Sequence, residues 1–260
     1  MSRLMTDGHR RFLQTMMSIG VMESSKAKAM YPHFCGDQST PAQIDDFISV
    51  INTQLQPMFM QIGKGMSEDD GLQYYALVNM AQTDITRMSS HYADNELELF
   101  RKTMDSIVDS ETGTASSTYI LNCADGLQTK KMKKKEVENV LDRLVQDKWL
   151  NEKRGEYTLS TRCIIEMEPY IRNVYQDLVK SCAMCHSLAF QNQTCESCGI
   201  RMHLPCAAKY FKNHADPLCP SCKDYWPHEI PVFQSQSLSQ SASTQANTAP
   251  APTASRRTRK

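Results

Sequence analysis

The chain has 260 residues, of which 40% are hydrophobic and 22% charged, and its 29 basic side chains balance its 29 acidic ones. A net charge of zero excludes a globally basic surface for nucleic acid, and the lack of any run of about 18 apolar residues excludes a membrane-spanning helix. The first residues lack the apolar core and small-residue cleavage site of a signal peptide. An intracellular setting is therefore expected, in which cysteines stay reduced.

The N-terminal part of the chain has the pattern of three helices followed by a hairpin. Apolar residues at helical spacing predict a first helix from Thr6. A second helix is expected over 23–31, ended by Pro32, and a third after Thr40-Pro41, since proline is favoured in a first turn. The segment "GKGMSEDDG" is expected to form a turn, and "YYALVNM" a strand. This order of elements indicates a winged-helix domain.

The same order recurs further along the chain. A strong helix is expected over 95–108, a shorter one in "ASSTYILNCA" and a third in "KKMKKKEVENVLDRLVQDKWL". The stretch "WLNEKRGEYTLS" predicts two short strands around a glycine turn. Trp149 and Leu150 are assigned to the first strand, and Tyr157 and Leu159 to the second. A last helix is expected over 161–178, so this block is the clearer winged-helix match of the two.

Seven of the ten cysteines crowd into one segment near the C-terminal end. Cys35, Cys123 and Cys163 stand alone and are expected to be small buried hydrophobes. The other seven and one histidine form four pairs, each with two residues between its members: Cys182 and Cys185, Cys195 and Cys198, His203 and Cys206, and Cys219 and Cys222.

Such pairs let two side chains reach one ion from a tight turn. Eight nitrogen and sulfur ligands make two closed tetrahedral zinc sites, so two structural Zn²⁺ ions per chain are expected. Spacing alone leaves sequential and interleaved pairing both open. His186 and His214 lie near the pairs and are the alternatives to His203 as a ligand.

The ligand order of four Cys, one His and three Cys resembles a variant RING finger. A proline inside the last pair, here Pro220, is typical of RING loops. The PHD finger shares the ligand order but usually carries Trp two residues before its seventh ligand, where this chain has Pro217. The RING resemblance implies cross-braced sites. One would consist of Cys182, Cys185, His203 and Cys206, and the other of Cys195, Cys198, Cys219 and Cys222.

These features predict a mainly α fold with small β-wings, in which two tandem winged-helix-like domains precede a cross-braced two-zinc RING-variant finger. The first winged-helix-like domain is assigned to 1–90, the second to 91–178 and the finger to 179–232. Residues 233–260 are rich in Ser, Gln, Thr, Ala and Pro, so a disordered tail is expected.

From about Met5 to Val232 the chain resembles the family of non-SMC element one subunits of the structural-maintenance-of-chromosomes five/six complex. The segments that carry the resemblance are "HRRFLQ", "ALVN", "DNELELFRK", "IRMHLPC" and "YWPHEIP". It implies a RING-type ubiquitin-protein ligase subunit that acts in DNA repair by homologous recombination. The ligase activity of such a subunit is expected to be weak without its partners. It further implies winged-helix domains that bind a MAGE-family and a kleisin subunit, and a nuclear, chromatin-associated protein.

In RING ligases an apolar residue from each zinc loop contacts the ubiquitin-conjugating enzyme, and a cation after the last ligand contacts ubiquitin. The resemblance assigns these roles to Met184, Pro220 and Lys223. Lysine lacks the planar donor fork of arginine, which favours weak activity without partners. The alternative is a non-catalytic scaffold whose zinc finger only stabilises the assembly.

Two local basic clusters make DNA a further candidate partner. One cluster lies at the N-terminal end of the helix that is expected to be the recognition helix of the second block. The other lies at the tip of the wing. Phosphate contact there would be salt-sensitive, whereas the neutral overall charge favours a solvated surface. The residues are Lys130, Lys131, Lys133, Lys134, Lys135, Lys153 and Arg154.

Overall fold

The computed structural model of the protein describes residues 4–35, 43–81, 91–212, 214 and 216–232. The first block consists of α1 (Asp7–Ile19), β1 (Val21–Glu23), α2 (Ser24–Cys35), α3 (Ile44–Leu55), β2 (Met60–Met66) and β3 (Gln73–Asn79). The second consists of α4 (Asp94–Asp109), β4 (Ala115–Ser116), α5 (Ser117–Cys123), α6 (Lys134–Gln146), β5 (Leu150–Lys153) and β6 (Glu156–Leu159). The remaining elements are α7 (Thr161–Val174), β7 (Asn192–Thr194), β8 (Arg201–His203) and α8 (Leu204–Phe211).

The two blocks share one topology, which is that of a winged helix. Each has a three-stranded antiparallel sheet in which the last strand lies in the centre, in the orders β1-β3-β2 and β4-β6-β5. One core contains Phe12, Phe47 and Tyr75, and the other contains Phe100 and Leu144. The mainly α fold with small β-wings is thus confirmed. No helix in the described ranges is long and apolar enough to cross a membrane.

Helix α7 follows the second winged helix but packs on both blocks. Ser160 begins it, because its hydroxyl oxygen accepts a hydrogen bond from the backbone N–H of Cys163 at 3.1 Å. One face of α7 enters the second core through buried residues that include Met167. The opposite face lies on β2 and β3, where Ile165 approaches so closely that a Cβ on Gly63 would stand 2.6 Å from its side chain.

This packing corrects the prediction that "GKGMSEDDG" is all turn. Gly63, Lys64 and Gly65 lie within β2 and pair with β3, for example Gly63 with Ala76. Glycine is tolerated in this strand because Ile165 of α7 occupies the space that side chains would fill. Only the segment beyond Met66 forms the predicted turn.

Helix α2 continues through Pro32 to Cys35, so the prediction that Pro32 ends the helix was wrong. Proline removes one backbone hydrogen bond, but aromatic contacts hold the last turn in place. Tyr31 packs edge-on against Phe47 at 5.2 Å between ring centroids, and Phe34 packs against Phe12 at 5.6 Å.

The helix over 161–178 was predicted too long, since α7 ends at Val174. Trp149 precedes the first wing strand rather than lying on it, while the other three assigned wing residues are in the strands. Trp149 is instead buried between Phe100 and the guanidinium of Arg162. The predicted start at Thr40-Pro41 and the predicted disordered tail over 233–260 lie outside the described residues.

Candidate metal centre

The structure gathers the eight predicted ligands into two groups. Within each group the four candidate ligand atoms all lie within 4.8 Å of one another. The first group is Cys182, Cys185, His203 and Cys206, and the second is Cys195, Cys198, Cys219 and Cys222. The first and third pairs along the chain therefore meet, as do the second and fourth, which is the cross-braced arrangement.

The spacing within the groups fits tetrahedral zinc. Zn–S bonds of about 2.3 Å give a sulfur–sulfur edge of about 3.8 Å, and a sulfur–nitrogen edge is about 3.6 Å. Cys195 and Cys222 have sulfurs 3.6 Å apart, and those of Cys198 and Cys219 are 3.7 Å apart. Nδ1 of His203 lies 3.3 Å and 3.8 Å from two sulfurs of its group. Each group can therefore bind one zinc ion, which gives two zinc ions per chain.

Tight turns within the pairs prepare the sulfurs to act as thiolates. Backbone N–H groups of Cys198 and Ser197 donate to the Cys195 sulfur and lower the pKa of this thiol to about 7. In the first group the neighbouring Cys206 thiol lowers the pKa of Cys182, while the same contact raises the pKa of Cys206. Thiolates bind zinc directly, so these turns favour metal binding.

His203 presents its two ring nitrogens to different surroundings. Nδ1 faces the sulfurs of its group, while Nε2 lies 2.7 Å from the carbonyl oxygen of Leu188 and 2.9 Å from a carboxylate oxygen of Glu68. Burial alone would lower the pKa of His203, but the Cys182 sulfur and the Glu68 carboxylate raise it to about 11. Since both neighbours of Nε2 are acceptors, Nε2 keeps its hydrogen and Nδ1 is left to bind a zinc ion.

The finger has a small core of its own. Strands β7 and β8 form a hairpin that is followed by α8, and Trp226 is fully buried between these elements. The indole N–H of Trp226 donates to the Gln193 side chain at 3.0 Å. Two residues of the first zinc loop, Leu188 and Phe190, instead belong to the core of the second winged helix. The finger is thus anchored on the preceding domain.

The three residues assigned to the conjugating-enzyme contact lie on the two zinc loops. Met184 is 42% exposed although its side chain is apolar. Pro220 is half-buried. Lys223 is exposed, and its ammonium donates to the carbonyl oxygen of Pro220 at 3.1 Å.

The histidine alternatives and the isolated cysteines lie elsewhere. Neither His186 nor His214 belongs to a group of candidate metal ligands in the described part of the chain. The ring of His214 stacks on Tyr210 instead. Of the isolated cysteines, Cys163 is buried as predicted, whereas Cys35 is exposed at the end of α2, so that prediction was wrong for Cys35.

All seven basic residues assigned to DNA contact are exposed. The five lysines lie just before α6 or in its first turn, and the other two flank the β5–β6 turn, where Arg154 has a left-handed backbone conformation with φ of 57°. Among the residues that the structure describes, none of the seven takes part in an ion pair; the residues are Lys130, Lys131, Lys133, Lys134, Lys135, Lys153 and Arg154.

Sequence reasoning missed Glu68. Its carboxylate contacts a zinc-ligand candidate from a different domain, and the surrounding letters "SEDDG" have only the composition of a turn. No local spacing links it to the cysteine pairs. The approach depends on how the first winged helix packs against the finger, and a single sequence carries no signal of that packing.

Two winged helices followed by a cross-braced finger with two closed Cys/His groups define a class of protein: a winged-helix protein with a RING-like zinc domain. Comparison with known proteins agrees with this assignment. Residues 9–167 match the model of the Nse1 non-SMC component of the SMC5-6 complex, and residues 182–222 match a RING-like domain.

Relatives and a solved structure are similar over nearly the whole chain. The Xenopus tropicalis protein named non-structural maintenance of chromosomes element 1 homolog is 56% identical over 234 residues, covering 89% of this chain and 87% of the relative. The human protein of the same name is 53% identical over 248 residues, covering 94% and 93%. A solved structure described as the Nse1-Nse3-Nse4 complex aligns with a TM-score of 0.79 at 55% identity, covering 88% of this chain and 100% of the solved one. The chain belongs to the Nse1 family of SMC5-6 components.

Proposed function

We propose that the chain is a RING-type ubiquitin-protein ligase subunit of the SMC5-6 complex, acting in DNA repair by homologous recombination. Its partners in this proposal are Nse3, a MAGE protein, and Nse4, a kleisin, which occur with an Nse1 chain in the similar solved complex. The winged-helix domains are the surfaces that bind them. Membership of a chromosome-associated complex supports a nuclear, chromatin-bound location.

The eight clustered Cys and His residues are the zinc ligands in this proposal. Because each ion would have four protein ligands, neither has an open position for a substrate or for a reactive water. The metals therefore have a structural role, and they fix the two loops on which the recognition residues lie. No residue of this chain is assigned a catalytic role, because the reacting thioester belongs to the conjugating enzyme.

The exposure of Met184 carries the ligase proposal. A 42% exposed methionine between two candidate zinc ligands contributes little to the core of the finger, yet its position is held by the zinc loop. Such a side chain suits a partner's apolar groove. Holding a loaded conjugating enzyme in a productive orientation accelerates transfer by positioning alone.

Ubiquitin discharge from a loaded conjugating enzyme tests the proposal. The full chain is assayed alone and with its MAGE partner, and partner-stimulated discharge is expected. Met184→Ala should lower this partner-stimulated discharge, because the exposed Met184 side chain is the proposed contact with the conjugating enzyme. If the complex with the MAGE partner shows no discharge above background with any of a panel of conjugating enzymes, the ligase proposal fails and the scaffold alternative stands.

A second candidate function is DNA contact by the second winged helix. The observation that favours it is the exposure of seven basic side chains at the start of α6 and at the β5–β6 turn, without ion-pair partners in the described ranges. Each phosphate contact contributes close to one unit to the slope of log affinity against log salt. Replacing Lys134 and Lys135 with Gln should reduce the slope by about two if both touch phosphate, and an unchanged slope would reject these contacts.

A further inference from the structure

The connection between β2 and β3 of the first winged helix reaches the finger and ends against its first metal group. Glu68, in this connection, is only 5% exposed, and His203 is 1% exposed. Gly71 of the same connection has a φ of +71°, and a Cβ there would stand 2.6 Å from Pro205 of α8. The chain therefore comes into close contact with the finger at this point.

Glu68 is fully engaged with the finger. One carboxylate oxygen lies 2.9 Å from His203 Nε2 and accepts a hydrogen bond from the backbone N–H of Phe190, also at 2.9 Å. The other oxygen accepts from the backbone N–H of Gln191 at 3.2 Å. A buried carboxylate is costly unless it is hydrogen-bonded, and here all of the donors come from the finger and its connecting loop.

The neighbours of Nε2 determine the tautomer of His203. A carboxylate oxygen and a carbonyl oxygen can only accept, so Nε2 must carry the hydrogen and the lone pair remains on Nδ1. Nδ1 is the nitrogen that faces the sulfurs. Hydrogen-bonded carboxylates of this kind orient metal-binding histidines and raise their basicity.

We propose that Glu68 is a positioning residue for the first zinc site: its carboxylate orients His203 and couples zinc retention at that site to the docking of the first winged helix. This inference rests on the ligand assignment proposed above. The first winged helix thus completes the surroundings of a metal site in another domain, and the finger is not a self-contained module.

The second group has no such support. Within the described residues, the sulfurs of Cys195, Cys198, Cys219 and Cys222 have hydrogen-bond partners only inside the finger. A change at Glu68 should therefore affect one zinc site and leave the other unchanged, which separates a specific effect from general loss of folding.

Zinc release from the full-length protein to an excess of chelator tests the inference. Glu68→Ala should speed the release of one of the two ions by about 10–100-fold, the usual effect of losing such a partner. Glu68→Gln keeps an acceptor but loses the charge, so a smaller acceleration is expected. Cobalt(II) substitution identifies the site, because a three-sulfur, one-nitrogen site and a four-sulfur site have different absorption bands.

Asp69→Ala is the matched control. Asp69 accepts from Gln191 of the finger loop and from Asn151 of the second winged helix, but does not touch His203. Asp69→Ala removes a neighbouring contact of the same connection but leaves Glu68 and its contact with His203 in place, so zinc release should stay close to the wild-type rate.

Three outcomes would overturn the inference. If both Glu68 variants release zinc at the wild-type rate, the positioning role of Glu68 is rejected, but the assignment of the eight zinc ligands still stands. Equal acceleration at both sites in Glu68→Gln would reject a site-specific role. A wild-type chain that holds fewer than two zinc ions would reject the ligand assignment, and the inference with it.

Discussion

Cys198 and Met184 lie in the same finger but contribute to it in different ways. The Cys198 sulfur lies 3.7 Å from that of Cys219 within a metal group, so its loss would leave a three-ligand site. Met184 lies between two candidate ligands, is 42% exposed and is not itself a ligand. Replacing each with alanine should therefore produce different failures.

Cys198→Ala should lower the zinc content, loosen the finger and reduce ubiquitin discharge together. Met184→Ala should keep two zinc ions and the wild-type melting temperature, yet weaken the contact with the conjugating enzyme. Burying a methionine side chain is worth about 1.5–3 kcal/mol, so the affinity should fall by roughly ten- to a hundredfold. Metal analysis, thermal melting and a binding titration measure the three quantities.

An unchanged affinity in Met184→Ala, with zinc still bound, would place the ligase surface elsewhere and favour the scaffold alternative. Zinc content equal to that of the wild type in Cys198→Ala would remove Cys198 from the ligand set.

At the scale of elements, the contact between β2 and α7 depends on the absence of side chains. Gly63→Ala should lower the free energy of unfolding by about 1–3 kcal/mol, because the new methyl group would overlap Ile165. In an Ile165→Ala background the same change should cost much less, since the conflicting atoms are gone. Urea denaturation of the four chains measures this coupling.

Gly126→Ala is the control for glycine replacement itself, because a Cβ at Gly126 would meet nothing within 4 Å. Its unfolding free energy should change by less than about 0.5 kcal/mol. Additive effects of Gly63→Ala and Ile165→Ala would contradict the proposed conflict between the two side chains.

The sequence predicted the long elements well, because their apolar spacing is a local property. The stripe with Leu97, Phe100 and Met104 marked α4, and the alternation around Tyr157 marked β6. The strands β1 and β4 were missed because three and two residues are too few to show alternation. The glycines of β2 were taken for turn residues because their cause, Ile165, lies far along the chain.

The metal groups were predictable for a related reason. Cysteine pairs two residues apart are a local signal, and the resemblance to RING fingers supplied the pairing between distant pairs. Neither a local spacing nor the family resemblance pointed to Glu68, since its partner His203 belongs to another domain. Contacts between domains are set by packed surfaces, and one sequence without relatives does not show which surfaces meet.

At the scale of the whole molecule, the finger and the second winged helix share a core. Leu188 and Phe190 are nearly fully buried in the cluster that also contains Phe100 and Leu144. Removing zinc with a chelator should unfold the finger. Leu188 and Phe190 would then leave the core of the second winged helix. Their burial is worth about 1.5–3 kcal/mol each, so the second winged helix should lose about 3–6 kcal/mol of stability.

Hydrogen exchange before and after chelation measures this loss. Amide protection in α6, which lies in the shared core, should fall further than protection in α1, which lies in the first core. Equal protection of α6 with and without zinc would show that the finger does not stabilise the second winged helix.

The position of α7 also has a consequence for synthesis on the ribosome. The first winged helix is complete when Asn79 has been made, but the helix that covers the glycine strip of β2 begins only at Thr161. At about 5–20 residues per second, translation of the roughly 80 residues in between takes about 4–16 s. For that interval the nascent chain presents a bare strip of sheet, the kind of surface that chaperones bind, until Ile165 emerges and covers it.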